Sequence, residues 1–313
     1  SARYGSIAHL IPKDRLKALA MRHKSKILDL FGTLQLHPSL LRGVATIYHH
    51  LGINAAQITL PDLAIPLAEA ALLLACEEYP YLSLGPYLDE LDRMADGVER
   101  KLSTHSSPIE TIGAINQALF VDYGFEGNVD NYYDPRNSFL NDVIERRRGI
   151  PITLSAIYIE VARRIGFAID GVGMPGHFLV KHLSQTEEII MDPFNKGSIL
   201  SPEECRMLLP LEQPESGQNM DRWLRRVTSR HILTRMMVNL KSIYLQAETF
   251  DKALVMLDLM ILTVPDAVEL YKERGVLRFQ LHQYREAASD LKWYLKHSPN
   301  SEDTSKIESY LMD

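Results

Sequence analysis

Apolar residues recur at helical spacing through the first hundred residues of the chain. The stretch "KDRLKALAMRHKSKILDLF" carries them at this spacing, and "PSLLRGVATIYHHLG" begins with Pro and Ser and ends at Gly52, a stop signal. Residues 66–79 are rich in Ala and Leu. One further stripe steps by four and three residues alternately: Leu84, Leu88, Leu91, Ala95, Val98 and Leu102. The pattern predicts an N-terminal helical region over residues 1–105.

Between residues 106 and 210 the pattern mixes helices with strands. "PIETIGAINQALFVDYGF" predicts one helix, "EGNVDNYYDPRNS" a loop, and "SFLNDVIERRRG" a short helix that Gly149 ends. The wide apolar face of "GIPITLSAIYIEVARRIGF" predicts a well-buried helix. After Gly166, strand-like segments at about 168–172, 177–183 and 187–192 alternate with turn residues. We therefore expect a mostly helical α+β protein whose strands lie in this region.

The last third of the chain repeats itself. The polar segment "PLEQPESGQNMDR" predicts a linker at 211–222, and a repeat follows within 223–313. Five pairs share an offset of 34 residues: Phe250 with Tyr284, Ala253 with Ala287, Leu257 with Leu291, Met260 with Tyr294, and Pro265 with Pro299. This period is typical of tetratricopeptide repeats, and a plain helical bundle is the alternative. Two repeats with a capping helix are fewer than usually stand alone, so we expect them to lean on the preceding domain.

One position differs between the two repeats. Gly275 occupies the small position in the first helix of the second repeat, where a small residue lets two helix backbones approach. The first repeat carries Lys241 at that place. We therefore expect looser helix contact in the first repeat.

Composition and charge restrict the functional classes. The chain has 313 residues, 46% of them hydrophobic and 24% charged, as in soluble globular proteins. A formal net charge of −6 gives no general attraction to nucleic acid, and the short run "ERRRG" reads best as a solvated helix end. Direct nucleic-acid binding is therefore not expected.

Apolar runs and cysteines indicate the compartment. The run "AIPLAEAALLLAC" is interrupted by Pro66 and Glu69 and is too short to span a bilayer, so no membrane association is expected. The first residues lack a basic segment followed by an apolar core. Cys76 and Cys205 are the only cysteines, which gives no disulfide framework and fits a reducing compartment. These features predict a cytoplasmic protein.

A histidine and an aspartate lie within reach of one hairpin. His177 stands in "PGHFLVKH" and Asp192 in "MDPF". If the hairpin loop has an even number of residues, His177 is predicted to lie directly opposite Asp192, on the same face, whereas an odd loop would separate the faces. The pair would supply two members of a nucleophile–His–Asp site. A buried histidine with a structural hydrogen bond is the alternative.

Three motifs in order, together with the repeats, resemble the SirB family: "NSFLNDVIERRRGIPITLSAIYIEVARRIGF", "GMPGHFLVKH" and "MDPFNKG". The resemblance covers roughly residues 60–300. It implies a papain-like, transglutaminase-like core, in which a central helix packs on a small antiparallel sheet. In active relatives a cysteine stands at the N-terminus of that helix, with His and Asp on adjacent strands.

The resemblance implies that the reactive place falls at or beside Ile152, where the chain has no thiol. Cys76 precedes the core and Cys205 follows Asp192, so neither has the order of a transglutaminase nucleophile, although Cys205 stays a weak alternative. Thr153 is the nearest hydroxyl. It is either a nucleophile activated by His177 or a helix-capping residue.

A cleft near the His–Asp pair is predicted to hold an extended peptide. Its candidate binding residues are Tyr132, Tyr133, Asn137 and Arg148. We expect a non-catalytic regulatory module that binds a protein or peptide through this cleft and the repeats. One alternative is a cysteine-independent hydrolase or acyl transferase that acts on peptide-like amides through His177 and Asp192, with Thr153 or water as nucleophile. Another is an indirect regulator of virulence genes, which rests only on the family's traditional association.

No cofactor or metal is expected. His177 and His182 are five residues apart and would point to opposite faces of one strand, which is the wrong arrangement for one metal ion. The pair "HH" at residues 49 and 50 lies in a predicted helix and makes no ligand pair. The chain also lacks the glycine patterns that bind phosphates or dinucleotides.

Overall fold

The computed structural model describes residues 66–183, 188–209, 223–299 and 302–311. The helices predicted before residue 66, the linker at 211–222 and the hairpin loop at 184–187 lie outside the described residues. The described α-helices, numbered in chain order, are α1 Leu67–Ala75, α2 Gly85–Glu99, α3 Pro108–Asn116, α4 Leu140–Arg146, α5 Pro151–Arg164, α6 Pro202–Met207, α7 Ser229–Gln246, α8 Phe250–Thr263, α9 Val268–Gln280, α10 Tyr284–His297 and α11 Thr304–Tyr310.

Strands occupy a smaller part of the described chain. They are β1 Glu126–Gly127, β2 Arg148–Gly149, β3 Asp170–Val172, β4 Leu179–Leu183, β5 Glu188–Asp192, β6 Ser198–Leu200 and β7 Arg226–Val227. β1 and β2 form a short parallel pair, and the other five form one antiparallel sheet in the order β6-β5-β4-β3-β7. None of the described helices combines the length and the apolar composition that a bilayer span requires.

The amphipathic stripe predicted from the sequence is confirmed by helix α2. Its residues Leu91, Ala95 and Val98 are buried in the main core, as the alternation of three and four residues requires. The next predicted helix is interrupted. α3 begins with a capping box between Ser107 and Glu110, then changes at residue 117 into a π-helical turn that ends at residue 122. The single regular helix predicted there was therefore wrong after Asn116, because a π turn holds one more residue than an α turn.

The central helix α5 packs on one face of the antiparallel sheet. Every residue from Pro151 to Tyr158 is buried. The sheet side chains that share its core alternate along the strands: Phe178, Val180, Ile189 and Met191. The opposite sheet face carries a second cluster that includes Leu179, Ile190 and Cys205. The α+β fold with a central helix on a small antiparallel sheet is confirmed.

The β4–β5 hairpin has the predicted parity but a shifted register. Four residues stand between Leu183 and Glu188, so the number of loop residues is even, as the same-face prediction required. Val180 pairs with Met191 and Lys181 with Ile190, so continuing the register sets Asp192 opposite Leu179. The prediction that His177 lies directly opposite Asp192 was therefore wrong by two residues. Side-chain alternation fixes which face a residue takes, but it does not fix where the loop begins.

The C-terminal helices form the predicted repeats. Helices α8 and α10 begin at Phe250 and Tyr284, which are 34 residues apart. Gly275 in α9 lies against α10, since a Cβ atom there would stand 2.7 Å from Cδ2 of Leu291. Lys241, at the same place in the first repeat, forms an ion pair with Glu273 instead. The small residue is therefore needed where α9 and α10 approach most closely.

The repeats share the core of the preceding domain. The buried side of α7 joins the same hydrophobic cluster as α1 and α5 through Ile232, Met236 and Leu240. The three residues are four apart and lie on one helix face. The repeats therefore pack against the α+β core, as expected from their small number.

Candidate functional site

His177 and Asp192 meet at one end of the antiparallel sheet. His177 stands two residues before β4 and Asp192 is the last residue of β5, and antiparallel neighbours bring the start of one strand beside the end of the other. Nε2 of His177 lies 2.8 Å from Oδ2 of Asp192. An ionised carboxylate can only accept a hydrogen bond, so Nε2–H of the imidazole is the donor. In a neutral ring the lone pair is then on Nδ1.

Asp192 is held by more than the histidine. Its side chain is fully buried, and it also accepts hydrogen bonds from the amide Nδ2 of Asn195 at 2.7 Å and from the backbone N–H of Phe194 at 3.0 Å. Burial alone would raise the pKa of the carboxyl group. The hydrogen bond and charge of His177, with the bonds from Asn195 and Phe194, outweigh burial and lower the pKa of Asp192. Asp192 is therefore held as an anion that fixes the imidazole.

Ile152 borders the same cleft as the imidazole. It is the second residue of α5 and is only 2% exposed. The residues that line the cleft come from four parts of the chain: Tyr132, Ile150, Pro151, Ile152, Gly176, His177, Phe178, Arg235 and Asn239. An aliphatic side chain thus occupies the first turn of the central helix next to the His–Asp pair, and it has no group that can attack a carbonyl.

Both thiols lie elsewhere. Cys76 follows α1, is buried and directs its sulfur toward the carbonyl oxygen of Leu72 at 3.5 Å. Cys205 is fully buried in α6, within the cluster on the sheet face opposite α5. Burial raises the pKa of each thiol, and neighbouring acidic residues raise it further. Neither cysteine lines the cleft, and a raised pKa disfavours the nucleophilic thiolate.

The hydroxyl of Thr153 is occupied by helix capping. It accepts the backbone N–H of Ile150 at 3.1 Å and lies 2.8 Å from the carbonyl oxygen of Asn137, to which it donates. The residue is fully buried. Since a hydroxyl has a single proton to donate, the bond to Asn137 leaves none for the imidazole. The structure does not bring Thr153 and His177 together.

The four residues predicted to bind a peptide take different places in the structure: one lines the cleft, one supports it from below the surface, and two lie on the surface. Asn137 is fully buried, and its amide Nδ2 donates to the carbonyl oxygens of Asn131 and Tyr132. Asn137 thus supports Tyr132, which lines the cleft. Tyr133 is 67% exposed and meets Tyr132 edge to face. Arg148 pairs with Glu126 on the surface and does not line the cleft.

Several site residues escaped the sequence reasoning. Phe194 lies edge-on to the His177 ring with centroids 6.0 Å apart, and Asn195 holds the carboxylate of Asp192. Their signal was available in "DPFN", because an aspartate before proline commonly accepts hydrogen bonds from the following turn. Arg235 and Asn239 come from α7, more than fifty residues from His177. No local pattern links α7 to the cleft.

Within the described residues, no group of three or more His, Cys, Asp or Glu side chains is arranged to hold a metal ion. What the described residues bring together is an oriented imidazole, an aliphatic surface and two polar side chains from α7.

Comparisons with known proteins agree with this architecture. Residues 86–238 match the family described as the transglutaminase-like superfamily, and residues 240–312 match a tetratricopeptide repeat family. A UPF0162 protein of Xylella fastidiosa strain Temecula1 is 38% identical over 261 residues, which cover 82% of this chain and 92% of that protein. A UPF0162 protein of Vibrio cholerae is 29% identical over 238 residues, covering 76% of this chain and 88% of its own.

Another match covers a smaller part of both chains. F-box only protein 21 of Mus musculus is 32% identical over 185 residues, which cover 55% of this chain and 28% of that protein. No solved structure matches the chain. The resemblance to a transglutaminase-like core followed by tetratricopeptide repeats is confirmed by the two family matches.

Proposed function

This chain belongs to the UPF0162 family, and we propose that it is a non-catalytic transglutaminase-like protein whose cleft binds an extended peptide segment of a partner protein. The observation that carries the proposal is Ile152 in the first turn of α5, beside a complete His177–Asp192 pair. A helix N-terminus carries partial positive charge, which would favour a thiolate in an active relative. An isoleucine at that place cannot form a covalent intermediate.

The remaining site groups suit binding. Ile150, Pro151, Ile152 and Phe178 border the cleft but are themselves buried, so its exposed surface is mostly polar, and the half-buried Tyr132 adds an aromatic ring. When the imidazole of His177 is neutral, Nδ1 can accept a hydrogen bond from a peptide N–H. A mostly polar cleft with directed donors and acceptors can hydrogen-bond the backbone of an extended peptide.

The repeats add a second binding surface in the proposal. Tetratricopeptide repeats stack helix pairs into a curved array, and the concave side of such an array commonly holds a peptide. A regulatory role, and membership of the SirB family, belong to the proposal through the motif resemblance. The net charge of the chain is negative and its best basic run is short, and both features favour a protein partner over nucleic acid.

A turnover assay tests the absence of catalysis. Wild type and His177→Ala would be compared on the ethyl ester of an acetylated peptide, which free imidazole does not cleave readily, and on a glutamine-containing peptide supplied with an amine. We expect equal background rates from pH 5 to 9, since no serine, threonine or cysteine lies among the described residues that line the cleft with the imidazole. Turnover in wild type that depends on His177 would contradict the proposal and favour the hydrolase alternative, in which the imidazole activates water or Thr153.

Restoring the thiol tests the place of the lost nucleophile. In Ile152→Cys we expect the new thiol to react with iodoacetamide faster near neutral pH than an ordinary cysteine of pKa about 8.5, because the helix N-terminus and His177 both favour the thiolate. Cys76 and Cys205 lie outside the cleft, and the raised pKa of each thiol should keep their background low. The double variant Ile152→Cys, His177→Ala is the matched control. An ordinary, His177-independent rate would show that Ile152 does not occupy the reactive place.

A further inference from the structure

Two polar side chains of α7 enter the cleft from the repeat side. Arg235 and Asn239 are four residues apart, so they lie on one face of the helix, and both line the cleft with His177 and Ile152. The core-facing residues Ile232 and Met236 fix the rotation of α7 about its axis. The cleft is therefore completed by the first helix of the repeat array.

Arg235 has no acidic partner among the described residues. One of its guanidinium nitrogens, Nη2, donates to the carbonyl oxygen of Met174 at a long 3.3 Å. In the described part of the chain, Arg235 forms no ion pair with a carboxylate at 4.0 Å or less. Arg274 and Arg278, by contrast, each pair with two aspartates. A guanidinium has five N–H donors, so most of those of Arg235 stay available to a ligand.

Positive charge lines the cleft itself. Arg235 is cationic, and the first turn of α5 carries the positive end of the helix dipole. Among the described residues that line the cleft there is no aspartate or glutamate. Asp192 lies behind the imidazole, fully buried, with its oxygens occupied by His177, Asn195 and Phe194. A ligand group in the cleft therefore meets donors and positive charge.

We propose that the cleft anchors a carboxylate of the bound peptide on the Arg235 guanidinium, with the amide of Asn239 beside it. The inference rests on the proposed peptide-binding function and adds the chemical class of the ligand. A carboxylate matches the fork of a guanidinium in two parallel hydrogen bonds, which makes the pairing specific. The carboxylate comes either from a glutamate or aspartate side chain or from a peptide C-terminus.

Arg235 also supports the loop that carries His177, and the test separates this role from ligand binding. Both Arg235 Nη2 and the backbone N–H of His177 donate to the carbonyl oxygen of Met174. Loss of a support alone would weaken every peptide equally. Loss of an anchor would weaken only those peptides that carry a carboxylate.

Three peptides that differ in one group serve as probes. They are acetyl-Ala-Phe-Gln amide, which is neutral, acetyl-Ala-Phe-Glu amide, which has a side-chain carboxylate, and acetyl-Ala-Phe-Gln acid, which has a C-terminal carboxylate. Each is titrated into the full chain while the isoleucine methyl signals are followed by NMR. The signal of Ile152 is the one missing from Ile152→Val.

We expect one of the two acidic peptides to shift the Ile152 signal at a concentration about tenfold lower than the neutral peptide, as a charge-assisted pair allows. Arg235→Gln should abolish the preference and Arg235→Lys should keep part of it. Arg226→Gln is the matched control, because Arg226 is 75% exposed, lies outside the cleft and loses the same charge. That control should keep the full preference.

Other outcomes overturn the anchor. Equal affinities for the three peptides would do so, and would leave peptide binding itself supported. An equal loss for all three in Arg235→Gln would show that Arg235 only supports the loop. If no peptide shifts the Ile152 signal, the carboxylate site is wrong. Conversion of glutamine to glutamate by wild type but not by His177→Ala would overturn the non-catalytic function independently of any carboxylate preference.

Discussion

Replacing Asp192 with asparagine tests the site at its most buried group. The carboxylate oxygen Oδ2 accepts from His177 Nε2 at 2.8 Å and from Asn195 Nδ2 at 2.7 Å. In Asp192→Asn the new amide can keep its oxygen toward the N–H of Phe194, but its NH₂ then faces two donors. The imidazole can change tautomer and accept. The amide of Asn195 can turn its oxygen toward the new NH₂ or bond to water, because Asn195 is exposed, so the main loss is that of the buried negative charge beside His177.

The cost follows from these contacts. Removing one member of a buried charged pair costs about 3–5 kcal/mol. Because Asp192→Asn keeps the shape and at least one hydrogen bond, we expect the free energy of unfolding at pH 7 to fall by about 3 kcal/mol. Asp170→Asn is the control. Its side chain is 43% exposed and lies 4.0 Å from Arg226, so it should lose less than about 0.5 kcal/mol.

The loss should depend on pH with a defined sign. The pKa of Asp192 is lowered in the folded protein, so its ionised form stabilises the fold above the pKa of the unfolded chain, about 3.9. That contribution is lost as the pH falls through the lower, folded pKa. The difference between wild type and Asp192→Asn should therefore shrink as the pH falls below about pH 4.

Urea unfolding followed by circular dichroism at a series of pH values measures this difference. Two results would refute the reasoning. One is a loss below about 0.5 kcal/mol at pH 7, which would mean that Asp192 is not a buried, bonded anion. The other is a loss that stays the same down to about pH 2, which would show that ionisation of Asp192 does not contribute to stability.

Two further substitutions test the fold around the site and in the repeats. Gly275→Val should lower the free energy of unfolding by about 2–3 kcal/mol, because even a Cβ would stand 2.7 Å from Leu291 Cδ2, and an unchanged urea midpoint would contradict the close approach of α9 and α10. Thr153→Val keeps the shape but removes the hydroxyl between Asn137 and Ile150, so we expect a loss of about 1–2 kcal/mol in the same assay and no change in background esterase rate. A lower rate in Thr153→Val would instead make the hydroxyl a nucleophile.

Local patterns in the sequence determined most helices and the repeats. The stripe through Leu91, Ala95 and Val98 predicts α2, and the period of 34 residues predicts that α8 and α10 occupy equivalent positions. These predictions succeed because the apolar face of a helix is set by residues three and four apart, which are close in the sequence itself. The motifs around His177 and Asp192 likewise predicted strands that form one hairpin.

Only the tertiary structure decided how the site is assembled. The hairpin register moved Asp192 two residues from the predicted position, yet the side chains of His177 and Asp192 still meet. Arg235 and Asn239 reach the cleft because α7 packs on the core, and no pattern near them in the sequence predicts that contact. Register and packing depend on contacts between segments that are distant in the sequence. They are therefore decided only when the whole chain folds.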